Sequence, residues 1–174
     1  GFLWRSNLEA KEFSGYLEYR QPNNQNASRI YARLARLSLP PSADQAVESL
    51  LEDSPLSIPA LDIVVEDLEL RGKKMRRVEI EAVNTETSLP RNATGREWRL
   101  NKLNISLPEA SFKASGKWIT SKEGTQQAST EMNFRLDISD AGDLLTRLGT
   151  KDALRGGAGK LEGQVNWQGS PMTL

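Results

Sequence analysis

Gly156-Gly157-Ala158-Gly159-Lys160 is the stretch that comes nearest to a phosphate-cradling loop. Such a loop needs glycines that let backbone N–H groups converge on phosphate oxygens, a lysine to meet the charge, and a hydroxyl to hold magnesium. Leu161 stands where the hydroxyl belongs and Leu154 where the first glycine belongs, and Gly163 lies one residue too far on for a dinucleotide fingerprint. The segment therefore reads as a flexible approach to a strand. A second cluster, Arg71, Lys73, Lys74, Arg76 and Arg77 around Gly72, makes a basic hairpin tip able to meet phosphate groups, with a solvated turn as the alternative. Glu66, Asp67 and Glu69 just upstream offer it partial neutralisation.

The chain contains no histidine and no cysteine, which removes imidazole bases, thiol nucleophiles, Cys/His zinc sites and disulfides. Its acidic residues are scattered, with no pair in a privileged position, and neither a Ser-x-x-Lys dyad nor a calcium-loop spacing occurs. No catalytic residue, metal site or cofactor is expected, and the chain reads as a non-enzyme. The three Asn-x-Ser/Thr sequons, at Asn26, Asn92 and Asn104, are attributed to chance. With 23 basic and 23 acidic residues the chain has no net field to draw it to nucleic acid, so no nucleic-acid partner is expected.

Its 174 residues suit one domain or a compact segment of a larger protein. No run approaches the 18 or so apolar residues of a spanning helix, and the mean hydropathy is −0.54. Starting at Gly1-Phe2-Leu3-Trp4 and stopping at Ser170-Pro171-Met172-Thr173-Leu174, it reads as a piece whose anchor or export signal would lie outside it. The lack of cysteine fits cytoplasm and periplasm equally.

The elements that must position any site are mainly strands. Ala128, Thr130, Met132, Phe134, Leu136 and Ile138 alternate with Ser129, Glu131, Asn133, Arg135 and Asp137, the period of a strand with one apolar face. Ala110, Phe112, Ala114, Gly116 and Trp118 repeat the pattern, as do Leu161, Gly163, Val165 and Trp167. Further strands are expected at Phe13 to Tyr19, Arg29 to Leu39, Leu61 to Leu70, Met75 to Val83 and Trp98 to Leu107, about eight in all. Two of these slip phase by one residue, between Val65 and Leu68 and between Leu100 and Leu103. Such a slip marks a bulge, a strand changing faces, or cover on both faces. Glycine recurs inside strands at Gly15, Gly116 and Gly163, where it marks bending, close backbone approach or coincidence.

Two short helices are expected. One spans residues 43 to 52, where Ser42 and Gln45 have capping-box spacing. The other spans residues 140 to 148, with Asp140 and Asp143 in its first turn, apolar Leu144, Leu145 and Leu148, and Gly149 as terminator. Both are too short to stand alone and must pack on the sheet. The fold class is mostly β, a curved antiparallel-rich sheet with one apolar face and two covering helices.

From Leu56-Ser57-Ile58-Pro59-Ala60-Leu61-Asp62-Ile63 onward the chain resembles the C-terminal region of the bacterial AsmA-like proteins of the YhdP type. The further blocks are Glu97-Trp98-Arg99-Leu100, Ala114-Ser115-Gly116-Lys117-Trp118, the stretch from Asp140 to Gly149, the stretch from Arg155 to Gly163, and Trp167-Gln168-Gly169-Ser170-Pro171. Met75-Arg76 departs from relatives that carry glycine after the apolar residue. The resemblance divides the chain into residues 1–55, strands and a helix joining the preceding part of a larger protein, and residues 56–174, an AsmA-like C-terminal β segment. It implies a periplasmic segment of an inner-membrane-anchored Gram-negative protein that shields phospholipid between the two membranes and supports the outer-membrane barrier. Phospholipid and inner- or outer-membrane proteins are then the expected partners. The family carries no assigned catalytic residues.

The strand pattern nominates Phe112, Ala114, Trp118, Met132, Phe134, Leu136, Ile138, Leu161, Val165 and Trp167 as lipid-groove residues, each with ordinary core as its alternative. The rival function is a structural or protein-interaction module at the end of an AsmA-like protein, its apolar face packed dry.

Overall fold

The computed structural model describes residues 2–9, 11–41, 58–89, 93–121, 124–150 and 155–169. Its strands are β1 (Leu3–Glu9), β2 (Phe13–Arg20), β3 (Arg29–Leu39), β4 (Ala60–Val65), β5 (Leu68–Leu70), β6 (Lys73–Met75), β7 (Arg77–Ser88), β8 (Thr94–Ser106), β9 (Ala110–Ser121), β10 (Gly124–Ile138) and β11 (Gly159–Gln168). They form one open mixed sheet in the order β1-β2-β3-β4-β7-β8-β9-β10-β11, with β5 on β3 and β6 on β5. Every pairing is antiparallel except those of β3 with β4 and with β5. A parallel pair cannot be closed by a tight turn, so residues 40–59 serve as the crossover. The helix expected at 43 to 52 lies within that crossover and outside the described residues.

The three expected strands with the clearest alternation appear as β9, β10 and β11, and Arg29 to Leu39 appears with the expected bounds. Three differences raise the count. Leu3–Glu9 adds an edge strand that sequence alternation did not flag, Leu61 to Leu70 is divided at Glu66-Asp67 into β4 and β5, and the strand expected from Met75 is divided at Arg76, with Lys73–Met75 standing apart as β6. The β5–β6 hairpin turns on two residues, Arg71 (φ 51°) and Gly72 (φ 73°), the double positive φ of a tight hairpin that matches strand twist. The basic tip seen in the sequence is this turn.

The phase slips have a structural cause. Between Leu100 and Leu103 the register with β9 shifts by one residue, and the register with β7 shifts at the same place, so Asn101 is an extra residue in β8. Leu100 and Leu103 stay on one side because of it. β3 carries a matching bulge: Leu34 pairs with Gly15 but Arg36 pairs with Ser14, leaving Ala35 extra. Gly15 makes this possible. Its φ is 144°, and a Cβ there would run into the Arg33 carbonyl and sit 2.8 Å from Leu34 Cα.

The second expected helix is α1 (Ala141–Arg147). Asp140 caps its N-terminus by accepting from the Asp143 N–H at 2.9 Å. Its C-terminus closes with Gly149 at φ 100°, Gly149 N–H donating to Thr146 O and Thr150 N–H to Leu145 O. One side chain fixes the helix in place. Arg147 donates to both carboxylate oxygens of Glu109 in the β8–β9 turn and, at 2.6 Å, to the Lys74 carbonyl of β6. These partners hold α1 against the β8–β9 turn and the β6 backbone. Leu144 is buried at 9% exposure, whereas Leu148 is 54% exposed and does not pack as its spacing suggested.

Leu144→Ala should lower stability by about 2–5 kcal/mol, and Leu148→Ala by less than about 0.5 kcal/mol. Equal denaturation midpoints for the two variants would contradict this placement of α1. Hydrogen bonding from Arg147 holds the Glu109 carboxyl below the usual carboxylate range. Its stabilisation is therefore full above the unfolded value of about 4.3 and is lost as pH falls through the lower folded value. Glu109→Gln should cost about 1.5–3 kcal/mol at neutral pH, with the gap to the parent closing in acid. A gap that stays constant below about pH 4 would show that the ion pair does not anchor the helix.

Candidate functional site

Paired residues in an antiparallel ladder project to the same side of the sheet. Trp98 pairs with Trp118, Trp118 with Thr130, and Thr130 with Trp167, so these four form one row across β8–β11. The next rows along the strands are Leu100, Gly116, Met132 and Val165; then Leu103, Ala114, Phe134 and Gly163; then Ile105, Phe112, Leu136 and Leu161; with Ala110, Ile138 and Gly159 at the end. The registers thus bring all ten nominated residues to one side, here termed the Trp118 side. Trp118 is buried to 3% exposure and Ala114 is also buried, Leu161 on the edge strand is 56% exposed, and the other seven are half-buried.

The same side continues through strands that sequence reading did not nominate. Val78, Ile80 and Ala82 of β7 face Ile105, Leu103 and Leu100, and they are paired in turn with Val65, Ile63 and Leu61 of β4. Parallel pairing carries the row to Leu34, Ala32 and Ile30 of β3, and β2 and β1 extend it through Leu17, Tyr19 and Trp4. Alternation was visible in several of these strands. Their membership of one side depends on register across the crossover, which alternation does not encode.

The opposite side, termed the Arg135 side, carries a different chemistry. Lys117 faces Glu131 at 3.7 Å, and Arg135 reaches Asp137 at 2.8 Å and Glu162 at 3.3 Å. Glu79 accepts from Arg77 at 2.8 Å and Lys102 at 3.0 Å, and Asp62 from Arg33 at 2.8 Å. These hydrogen bonds hold the carboxyls of Glu79, through Arg77 first, and Asp137, through Arg135, below their usual range. The pairs are solvent-exposed, so their main effect is to keep both strands' charges on the watered side. A few apolar residues, Val64, Val83 and Ile119, share it.

The other sequence features resolve simply. Arg77 of the basic cluster pairs with Glu66, the upstream acidic run meeting the basic one as expected. Gly156 and Gly157 turn in positive φ beside α1, where the Gly157 carbonyl accepts from Ala141 N–H, and Lys160, second residue of β11, lies near Asp137. A cleft of about 550 Å³ at this end is lined by Pro108, Ala110, Ile138, Gly159 and neighbours. Among the described residues no cluster of acidic side chains has the makings of a metal site, and no helix is long and apolar enough to cross a membrane.

The family model for the YhdP protein matches residues 1–174. The chain belongs to the YhdP family. The match takes in residues 1–55 as well as the region from Leu56 onward that carried the sequence resemblance, and it agrees with a sheet in which β1–β3 continue the later strands. No curated protein and no solved structure matches the chain.

Within this YhdP-family sheet the strand glycines share a side. Gly15, Gly116 and Gly163 all lie on the Trp118 side, opposite Leu34, Met132 and Phe134 respectively. At Gly163 the Phe134 ring lies where a side chain would be, 2.6 Å from the position a Cβ would take. The ring covers the glycine of the neighbouring strand. Gly163→Ala should therefore cost about 1–3 kcal/mol by displacing that ring, and much less in a Phe134→Leu background. A coupling energy below about 0.5 kcal/mol in the double-mutant cycle would refute the packing.

Proposed function

We propose that the chain is a segment of a periplasmic, inner-membrane-anchored bridge whose Trp118 side shields phospholipid acyl chains in transit between the inner and outer membranes. In this reading the Trp118 side is the apolar face of a curved sheet, and the passage supports the outer-membrane barrier. The observation that carries it is the set of rows Met132, Phe134, Leu136 and Ile138 with their partners on β9 and β11. All share one side, and the four β10 side chains remain half-buried rather than sealed. Family membership supports the same reading. Each acyl methylene removed from water on such a face contributes about 0.8 kcal/mol. Rows of similar aliphatic and aromatic residues present no large step against sliding. Membrane proteins at either end of the bridge are the natural protein partners.

A second reading holds for the other half of the sheet. Ala32, Leu34 and Val65 are fully buried and packed by Leu17, Leu37, Ile63 and Leu68. This cluster is a dry core, and around β2–β5 the face acts as structure or as a docking module.

Phe134 and Asn133 separate the two sides on one strand. Arg135 is a poor control, because it already joins Asp137 and Glu162 and its reversal would gather three carboxylates. In the full-length parent, Phe134→Asp puts an unpaired charge where acyl chains lie, at large cost. Phospholipid co-purifying with it should fall at least about fivefold by mass spectrometry, a loss of about 1 kcal/mol in affinity, whereas Asn133→Asp retains its lipid. Equal lipid content in two folded variants would refute the assignment.

A further inference from the structure

All four tryptophans of the chain, Trp4, Trp98, Trp118 and Trp167, lie on the Trp118 side, and three of them share one row across β8–β11. Beyond that row the side turns polar: Glu86 pairs with Arg96, and Arg96 with Thr120. Tryptophan suits such a boundary, since its ring is apolar and its N–H requires an acceptor. Two polar groups of this row have backbone carbonyls as partners. Trp98 Nε1 donates to the Pro59 carbonyl at 3.0 Å, and the Thr130 hydroxyl donates to the Gly169 carbonyl at 2.9 Å. Trp118 Nε1 is buried with no acceptor among the described residues, although its residue is only 3% exposed, and Arg96 Nε is in the same position. Arg96 and Trp118 are diagonal neighbours on β8 and β9, projecting to the same side. Two buried donors left unmet side by side are costly to a fold, and one of them is cationic.

We infer that Trp118 Nε1 and Arg96 Nε form the phosphate subsite of a phospholipid whose chains run along the strands from this row toward Phe112 and Leu136. The inference rests on the acyl-chain reading above and adds its polar end. An anionic oxygen satisfies an indole N–H and a guanidinium N–H together, which a neutral apolar ligand cannot do. The dimensions agree. From Trp118 to Phe112 along β9 is roughly 20 Å at about 3.4 Å per residue, enough for the roughly 15 Å of hydrocarbon in one leaflet of a bilayer whose core is about 30 Å thick.

The test uses the chain labelled with ¹⁵N and with ¹³C at its leucine methyls, in which Trp118→Phe identifies the Trp118 signal among the four indole N–H resonances. Three probes are added separately: a short-chain phosphatidylglycerol, the diacylglycerol with the same chains, and inorganic phosphate. Phosphatidylglycerol should shift the Trp118 indole signal and the Leu136 methyls. Diacylglycerol should shift the Leu136 methyls alone, and inorganic phosphate at the same concentration should shift neither. Trp118→Phe, which keeps the ring, should weaken phosphatidylglycerol binding about tenfold, as loss of one hydrogen bond to a charged group requires, and leave diacylglycerol binding unchanged. Arg96→Gln should give a loss of the same kind. If phosphatidylglycerol moves Leu136 but not Trp118, the subsite is refuted and the acyl face stands. If inorganic phosphate alone moves Trp118, the site is one for free phosphate and the lipid assignment is refuted. If neither lipid moves either signal, the acyl-chain reading falls as well.

Discussion

Side-chain phase across the hydrogen-bonded ladder is the constraint on which this sheet depends. A strand that slips by one residue sends all its later side chains to the opposite side. Nine strands in a line must therefore agree in phase, and two of them, β3 and β8, do so by adding a residue. Asn101 in β8 and Ala35 in β3 are single insertions, and the step from Val65 to Leu68 between β4 and β5 runs beside the step from Leu34 to Leu37 in β3. Each insertion returns leucine, isoleucine or valine to the side it would otherwise leave. The Trp118 side is thus maintained by backbone irregularity as much as by alternation.

The two ends of the strands are finished differently. At one end, Asn84 donates to the Ile58 carbonyl at 2.7 Å and Trp98 to that of Pro59, tying the return of the crossover to the Trp118 side. At the other, the Arg147 guanidinium joins α1 to Glu109 and to the β6 backbone. Glu109 is nearly inaccessible, and Arg147 is the counter-charge that makes its burial tolerable. Along the Arg135 side, cross-strand pairs such as Lys117 with Glu131 and Arg135 with Glu162 place opposite charges in register. A strand out of phase would set these charges among leucines, so the charged side disfavours the same slips that the bulges correct.

Much of this was legible in the sequence, and the rest was hidden for physical reasons. The alternation of Ala128 to Ile138 gave β10, and Asp140 with Gly149 bounded α1, because strand period and helix caps are local signals. The slip between Leu100 and Leu103 was visible, but its meaning as a bulge required knowing what lay on both neighbouring strands. The same slip between Leu34 and Leu37 passed unnoticed, although Gly15, the residue that allows it, was singled out. Leu148 has helical spacing and still faces solvent, since spacing fixes a direction and not a partner. Within the candidate site, Trp118 and Trp167 followed from their own strands. Trp98 completes their row only through a register that joins four strands, and Arg147 meets Glu109 across 38 residues of chain. Non-local pairings of this kind are absent from any single-strand pattern.

The central claim is that acyl chains touch one side of the sheet and that its phase is kept through the bulges. Photoactivatable residues placed one at a time along β10 from Ser129 to Ile138, and along β8 from Trp98 to Ile105, measure this directly in cells through covalent lipid adducts. The account predicts adducts at every second position of β10, at 130, 132, 134, 136 and 138. On β8 it predicts adducts at 98 and 100 and then at 103 and 105, the pattern stepping by three residues across Asn101. Adducts that follow strict alternation through residue 102, that fall on the Arg135 side, or that are spread evenly over both sides would contradict it.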